Sequence, residues 1–270
     1  NAENQVHELN VAGAEIALKA ADLCERTIIV AGSIGPTGGI IEPLGELTKA
    51  EVESAFTDQA IALKEGGVDV AWIETMSSEE EMECAIIATK KTGLPIVCTY
   101  SFDTHGKSMM GLEPKELARL AEQHSPEIIG FGANCGIGAA ELIGSILCLA
   151  KSRKNHSMHI VAKGNCGIPV FIDGEITYNG TEEIMAAYAC YAKKLGATII
   201  GGCCGTKQEH VKAMADALNA DNMECPLELD AIVQSMGQMT KGNIAMVEKY
   251  LNPENSSEVS PVNPRKRRRR

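Results

Sequence analysis

Between Thr27 and Leu218 the chain repeats one two-part unit, a short apolar run rich in β-branched residues followed by a helix-like run. The strand-like runs fall at residues 27–32, 68–75, 96–101, 128–134, 159–163 and 198–202. Six strand-then-helix units in succession predict an α/β fold with a parallel sheet covered by helices. Local signals agree with this division. Thr48 and Glu51 have the spacing of a capping box, and Gly66-Gly67 ends the helix they open. Ser77 or Ser78, and later Thr181, stand at helix N-caps with glutamates in the first turns that follow, where the helix dipole favours them. Pro114 occupies a permitted first-turn position. Upstream, Val6, Leu9, Ala12, Ile16 and Ala20 recur at helical spacing and predict an amphipathic helix ending near Cys24. Residues 33–46, 102–112 and 164–180 read as loops at strand tips.

In α/β folds of this kind the chemistry gathers at the carboxyl ends of the strands. There the run Ile199-Ile200-Gly201-Gly202 delivers Cys203 and Cys204, and Gly205 and Thr206 lead into the next helix. Neighbouring cysteines seldom reach disulfide geometry. A soft divalent metal accepts both thiolates, and Zn²⁺ with one further Cys keeps its fourth position open for a substrate. Cys135 is the candidate third ligand, because Ile128 to Asn134 repeats the same grammar: apolar strand, small residues, Cys at the tip, glycine, helix. Free cysteines also serve as small core residues, but the flanking glycines and the strand-tip position weigh against that for Cys203 and Cys204. Cys166, in the loop after the fifth strand and on the same face, reads as filler, since three thiolates already complete a catalytic site. Cys24, Cys84, Cys98, Cys148, Cys190 and Cys225 have no motif around them.

Gly-Ala-Asn-Cys at 132–135 with Gly-Gly-Cys-Cys-Gly-Thr at 201–206 resembles the homocysteine S-methyltransferase family, the zinc thiol-methyltransferases that include betaine–homocysteine methyltransferase and the homocysteine-binding module of methionine synthase. Further segments fit in order from about residue 5 to 218: Val30 to Pro36, Ile73 to Met76, Ser101-Phe102-Asp103 with Gly106 and Gly111, and Gly164 to Pro169. The resemblance implies a TIM-type (β/α)8 barrel lacking its first two strands in this chain, since six units are visible, an orphan helix precedes them, and the chain does not begin with Met. The alternative is an open doubly wound sheet, complete in itself. The resemblance also implies transfer of a methyl group from betaine, a sulfonium or methylcobalamin to homocysteine, giving methionine. Zn²⁺ would be held by Cys135, Cys203 and Cys204. Glu74, closing the strand 68–75, would hold the substrate ammonium, and Ser33 and Asn134 would bond its polar end. No catalytic residue beyond the metal site is expected, because the metal handles the thiol proton; Asp103 reads as loop-shaping. A corrinoid route would require a separate protein.

Domain limits follow: residues 1–225 as the N-terminally incomplete barrel, 226–252 as a helical extension and 253–270 as a disordered basic tail. In the extension, Leu229, Ile232, Val233, Met236, Met239, Ile244, Val247 and Leu251 predict one or two helices that pack on the barrel or make a homo-oligomer. The formal net charge of −11 argues against nucleic-acid binding by the folded body, and the basic run Arg265 to Arg270 reads as a solvated end. No apolar run approaches the roughly 20 residues of a membrane helix. Ten cysteines scattered through a large domain suit a reducing, cytoplasmic setting.

Two other classes compete. One is a non-catalytic zinc scaffold in which Cys166 closes the site as a fourth ligand. The other is a phosphate-binding enzyme using Gly35 to Gly39, a loop that lacks the P-loop lysine and the dinucleotide-binding glycine spacing.

Overall fold

A computed structural model of the protein describes residues 3–220 and 224–252. The tail 253–270 with its basic run lies outside the described residues. Among those described, six parallel strands form one sheet: β1 (Ala31–Ile34), β2 (Val70–Met76), β3 (Ile96–Tyr100), β4 (Ile128–Cys135), β5 (His159–Gly164) and β8 (Ile199–Gly202). Between the last two lies an antiparallel hairpin, β6 (Pro169–Ile172) and β7 (Glu175–Tyr178). Helices α1 (Val6–Ala21), α2 (Lys49–Glu65), α3 (Glu79–Lys90), α4 (Pro114–Gln123), α5 (Ala139–Ser152), α6 (Glu182–Lys194) and α7 (Gln208–Ala220) alternate with the strands. Two more, α8 (Leu229–Met236) and α9 (Lys241–Leu251), form the extension.

The spatial order of the sheet follows the chain, β1-β2-β3-β4-β5-β8. Strand-helix-strand crossovers are right-handed almost without exception, so a sheet that never reverses direction carries its crossover helices on one face. It therefore curls about the other face. This order overturns the doubly wound alternative, in which the direction reverses and helices cover both faces.

Alternation along each strand separates two cores. Ile73, Cys98, Phe131, Ile160 and Ala162 point to the helices and join the main apolar cluster. Val70, Val97 and Val161, with Trp72 and Ile199, form a small cluster on the inner face. Gly132 is required here: a Cβ would stand 2.0 Å from the Val161 carbonyl oxygen, so any side chain would force β4 from β5.

Several local expectations hold at the residue. Thr48 and Glu51 form the capping box of α2, Ser78 caps α3, Thr181 caps α6 and Pro114 opens α4. The first strand differs from expectation: it spans 31–34, not 27–32, because pairing with β2 begins at Ala31 opposite Val70. Ile29 is 65% exposed; β-branched residues without a partner make no strand. The face predicted for α1 is also largely open, with Ile16 67% exposed, while Ala14 is its buried residue. Residues 164–180, read as a loop, contain the β6–β7 hairpin.

The extension packs on its own chain, α9 against α5 and α8 against α6. Glu141 of α5 is buried and satisfied across that contact, accepting from the Thr240 N–H and from Asn243 Nδ2 at 2.6 Å. No described helix is long and apolar enough to cross a membrane.

Candidate metal centre

Two strand tips bring three sulfurs together. Cys203 continues the line of β8, its N–H donating to the Gly164 carbonyl at 2.7 Å. Cys204 follows with its carbonyl accepting from the Cys166 N–H at 2.9 Å. Cys135 ends β4 with φ 60, and Gly136 follows at φ 77. A non-glycine residue in the left-handed region is uncommon, and here the thiol it carries faces the tip of β8 across β5. The Cys135 and Cys204 sulfurs lie 4.0 Å apart, as do those of Cys203 and Cys204. All three fall within 4.8 Å of one another, and they are the described residues so grouped for a metal. Tetrahedral zinc with Zn–S bonds of about 2.3 Å sets sulfurs about 3.8 Å apart, so the trio fits such an ion after small adjustments. Cys166 is buried in the main apolar cluster and is not one of the three.

The thiols share charge unevenly. The Cys135 thiol close by, then the nearby Lys163 ammonium, holds the Cys203 thiol down to about 5 against the effect of burial. The same proximity of Cys203, with burial, pushes Cys135 far up. Metal-free, the pair thus shares its protons unevenly, favouring the thiolate at Cys203 over that at Cys135.

Asn165, to which sequence reasoning gave no role, ties the tips together. Its Nδ2 donates to the Gly136 carbonyl at 2.6 Å and to Cys135 Sγ at 3.5 Å, while its Oδ1 accepts from the Cys204 N–H at 3.0 Å. Tyr178, at the end of β7, packs so closely on Gly205 that a Cβ there would lie 2.2 Å from its ring, and burial together with the nearby Cys204 thiol pushes its phenol up.

On the inner face, closer to the middle of the sheet, Glu74 accepts from Ser33 Oγ at 2.6 Å through Oε1 and from Lys163 Nζ at 2.5 Å through Oε2. Lys163 also stands 5.9 Å over the Trp72 ring. It pairs in register with Asn134 and Gly201, immediately before Cys135 and two residues before Cys203. The ion pair therefore sits about 3–7 Å behind the thiols along the strands.

Asn134 is fully buried. Its Oδ1 accepts from the Thr75 N–H at 2.9 Å and the Thr99 hydroxyl at 2.7 Å, and its Nδ2 donates to the Thr75 hydroxyl at 2.8 Å. These bonds hold Thr75 at φ 65, a costly backbone for a β-branched residue. Of the predicted residues, then, the three cysteines meet, Ser33 meets Glu74, and Asn134 is occupied with Thr75 and Thr99. A cavity of about 1030 Å³ opens beside the tips of β1 to β3, with Thr75, Ser101, Asp103 and Met109 in its wall.

Residues 1–218 match the family described as homocysteine S-methyltransferase. The chain is 25% identical over 225 residues to methionine synthase of Mycobacterium tuberculosis, covering 80% of this chain and 18% of that protein. It is 27% identical over 238 residues to betaine–homocysteine S-methyltransferase 1 of Danio rerio, covering 81% and 58%. The chain thus spans less than two thirds of the length of these relatives. In fold it is similar to the homocysteine methyltransferase MmuM from Escherichia coli. The apo form superposes with a TM-score of 0.65 at 21% identity, covering 80% of this chain and 75% of the other. The metallated form gives 0.63 at 21%, covering 78% and 70%.

Proposed function

We propose, from the premise that this chain belongs to the homocysteine S-methyltransferase family, that it moves a methyl group from an activated donor to the thiol of homocysteine, giving methionine. The observation that carries this is the meeting of Cys135 with Cys203 and Cys204 at the carboxyl end of a parallel sheet, from tips 69 residues apart. The barrel we infer is TIM-type, with the curled sheet supplying six of its eight strands. Its support is the one-sided helix layer and the exposure of Leu9, Ile16 and Ile29, an apolar surface that closing elements would cover.

When bound, Zn²⁺ would be held by Cys135, Cys203 and Cys204 and would act as a Lewis acid that lets a substrate thiol lose its proton near neutral pH. The chain's own residues position. Glu74 holds the substrate ammonium, and Ser33 fixes the other oxygen of that carboxylate. Asn134 acts one residue away: by pinning Thr75 it fixes the backbone that aims Glu74. Asn165 keeps the two cysteine-bearing tips in register.

The homocysteine sulfur attacks the donor methyl carbon in line. The new S–C bond forms as the donor's bond to that carbon breaks, and the electron pair leaves with the donor. Betaine, a sulfonium such as S-methylmethionine, and methylcobalamin are the donors we carry forward, with the cavity at β1 to β3 as the route of approach. The setting we propose is the cytoplasm.

Zinc-loaded protein titrated with homocysteine tests the reading. X-ray absorption at the zinc edge should gain one sulfur neighbour per metal. An unchanged zinc environment would overturn it.

A further inference from the structure

We infer that Lys163 reads the α-carboxylate of the substrate amino acid, and that the Glu74–Lys163 ion pair is a placeholder which a zwitterionic thiol opens and replaces. The inference rests on the proposed function, since it supposes a thiol ligand at Cys135, Cys203 and Cys204, and it adds a selection rule to that reading.

Position is the first argument. Lys163 and Glu74 lie on the inner face, behind the thiols by a strand step or two. A ligand whose sulfur is held at the tips, and whose α-carbon follows two methylenes later, puts its charged end at this depth.

Charge balance is the second. The pair is partly withdrawn from water, with 29% of the Lys163 side chain and 17% of the Glu74 side chain exposed. Separating such a pair strands both charges unless each finds a new partner. A zwitterion supplies both at once: its ammonium takes Glu74, which Ser33 steadies, and its carboxylate takes Lys163. An aminothiol without the carboxylate displaces Lys163 from Glu74 and leaves that ammonium unmatched. Sites built around a charged partner discriminate strongly against ligands that lack it.

The third argument is Trp72. Its indole stacks under the Lys163 ammonium, and its buried Nε1–H has no acceptor among the described residues. A carboxylate drawn to Lys163 brings acceptor oxygens to this wall, where the existing Glu74 oxygens already serve Ser33 and Lys163.

The test uses the full chain loaded with cobalt(II) in place of zinc, whose visible spectrum reports an added thiol without turnover. Homocysteine is compared with homocysteamine, which has the same thiol and amine and no carboxylate. Wild type is expected to bind homocysteine about tenfold or more tightly than homocysteamine, the size of one charged hydrogen bond. Lys163→Met is expected to erase that ratio, chiefly by weakening homocysteine, and Lys163→Arg to keep most of it. Equal binding of the two thiols by wild type, a comparison that needs no variant, would overturn the inference while leaving the thiol site intact. A Lys163→Met ratio unchanged from wild type would also overturn it. A wild-type spectrum unmoved by either thiol would remove the proposed function and this inference together.

Discussion

The side-chain oxygen of Asn165 accepts a hydrogen bond from the backbone N–H of Cys204 at 3.0 Å. The other end of that amide grips the turn after Cys135, so one buried side chain sets the spacing of both cysteine-bearing tips. Groups that orient metal ligands in this way typically matter by 10- to 100-fold in affinity. Asn165→Ala is therefore expected to weaken zinc binding by about that factor while all three ligands remain, measured by competition with a chromophoric chelator. Unchanged affinity would mean the tips hold their spacing without it.

Removal of a ligand should be more severe. Cys135→Ala, Cys203→Ala and Cys204→Ala are each expected to lose most of the bound zinc, read as metal per chain after dialysis. Stoichiometric zinc retained in any one of them would remove that sulfur from the site.

The uneven protonation of the trio sets a pH dependence. With Cys203 held down to about 5 and Cys135 pushed up, the metal-free pair favours the thiolate at Cys203 and the thiol at Cys135. Metal needs thiolates, so binding expels the Cys135 proton and acid opposes it. Apparent zinc affinity is expected to fall as pH is lowered, by about tenfold per pH unit for each proton released. Proton release on zinc addition, followed with an indicator dye in weak buffer, gives an independent count. In metal-free protein, Cys203 should be alkylated first by iodoacetamide at neutral pH, as mass spectrometry of the digested protein would reveal; prior modification of Cys135 would reverse the assignment.

Glu141 tests the attachment of the extension. Glu141→Ala strips the acceptor from the Thr240 N–H and one of the two acceptors from Asn243 Nδ2 in a buried contact. Stability is expected to drop by about 2 kcal/mol, read from the urea midpoint with the slope unchanged. A null effect would mean that apolar packing and the Asn243 bond to the Glu141 main-chain carbonyl hold α9 without the carboxylate.

How much of this was legible in the sequence depended on whether the signal was local. The strand-and-helix alternation, the caps at Thr48, Ser78 and Thr181, and the cysteines at the tips after β4 and β8 carry their signals within a few residues. Lys163 did not, because a lysine at the end of a strand looks solvent-facing. Its inward aim depends on register with Asn134 and Gly201, which pairing alone decides. Asn165 was hidden similarly, since its two bonds reach across to Gly136 and Cys204. The β6–β7 hairpin carries a local signal too, although residues 164–180 read as a loop. Asp173 and Gly174, both at positive φ, are the Asp-Gly pair that favours a tight two-residue turn, flanked by the paired residues Ile172 and Glu175. For α1 the helical period was right, but period says nothing of what covers a face, and Ile16 faces outward.

The order of strands binds the ion's fate to that of the sheet. Among the described residues β8 is a marginal strand, bonded only to β5, and β4 lies two places in. An ion gripped by Cys135 on one side and by Cys203 and Cys204 on the other bridges over β5 and rivets the outermost strand to the middle of the sheet. Fraying at that margin and release of the ion then become a single event, so whatever tightens the grip on the ion also resists unzipping from that side.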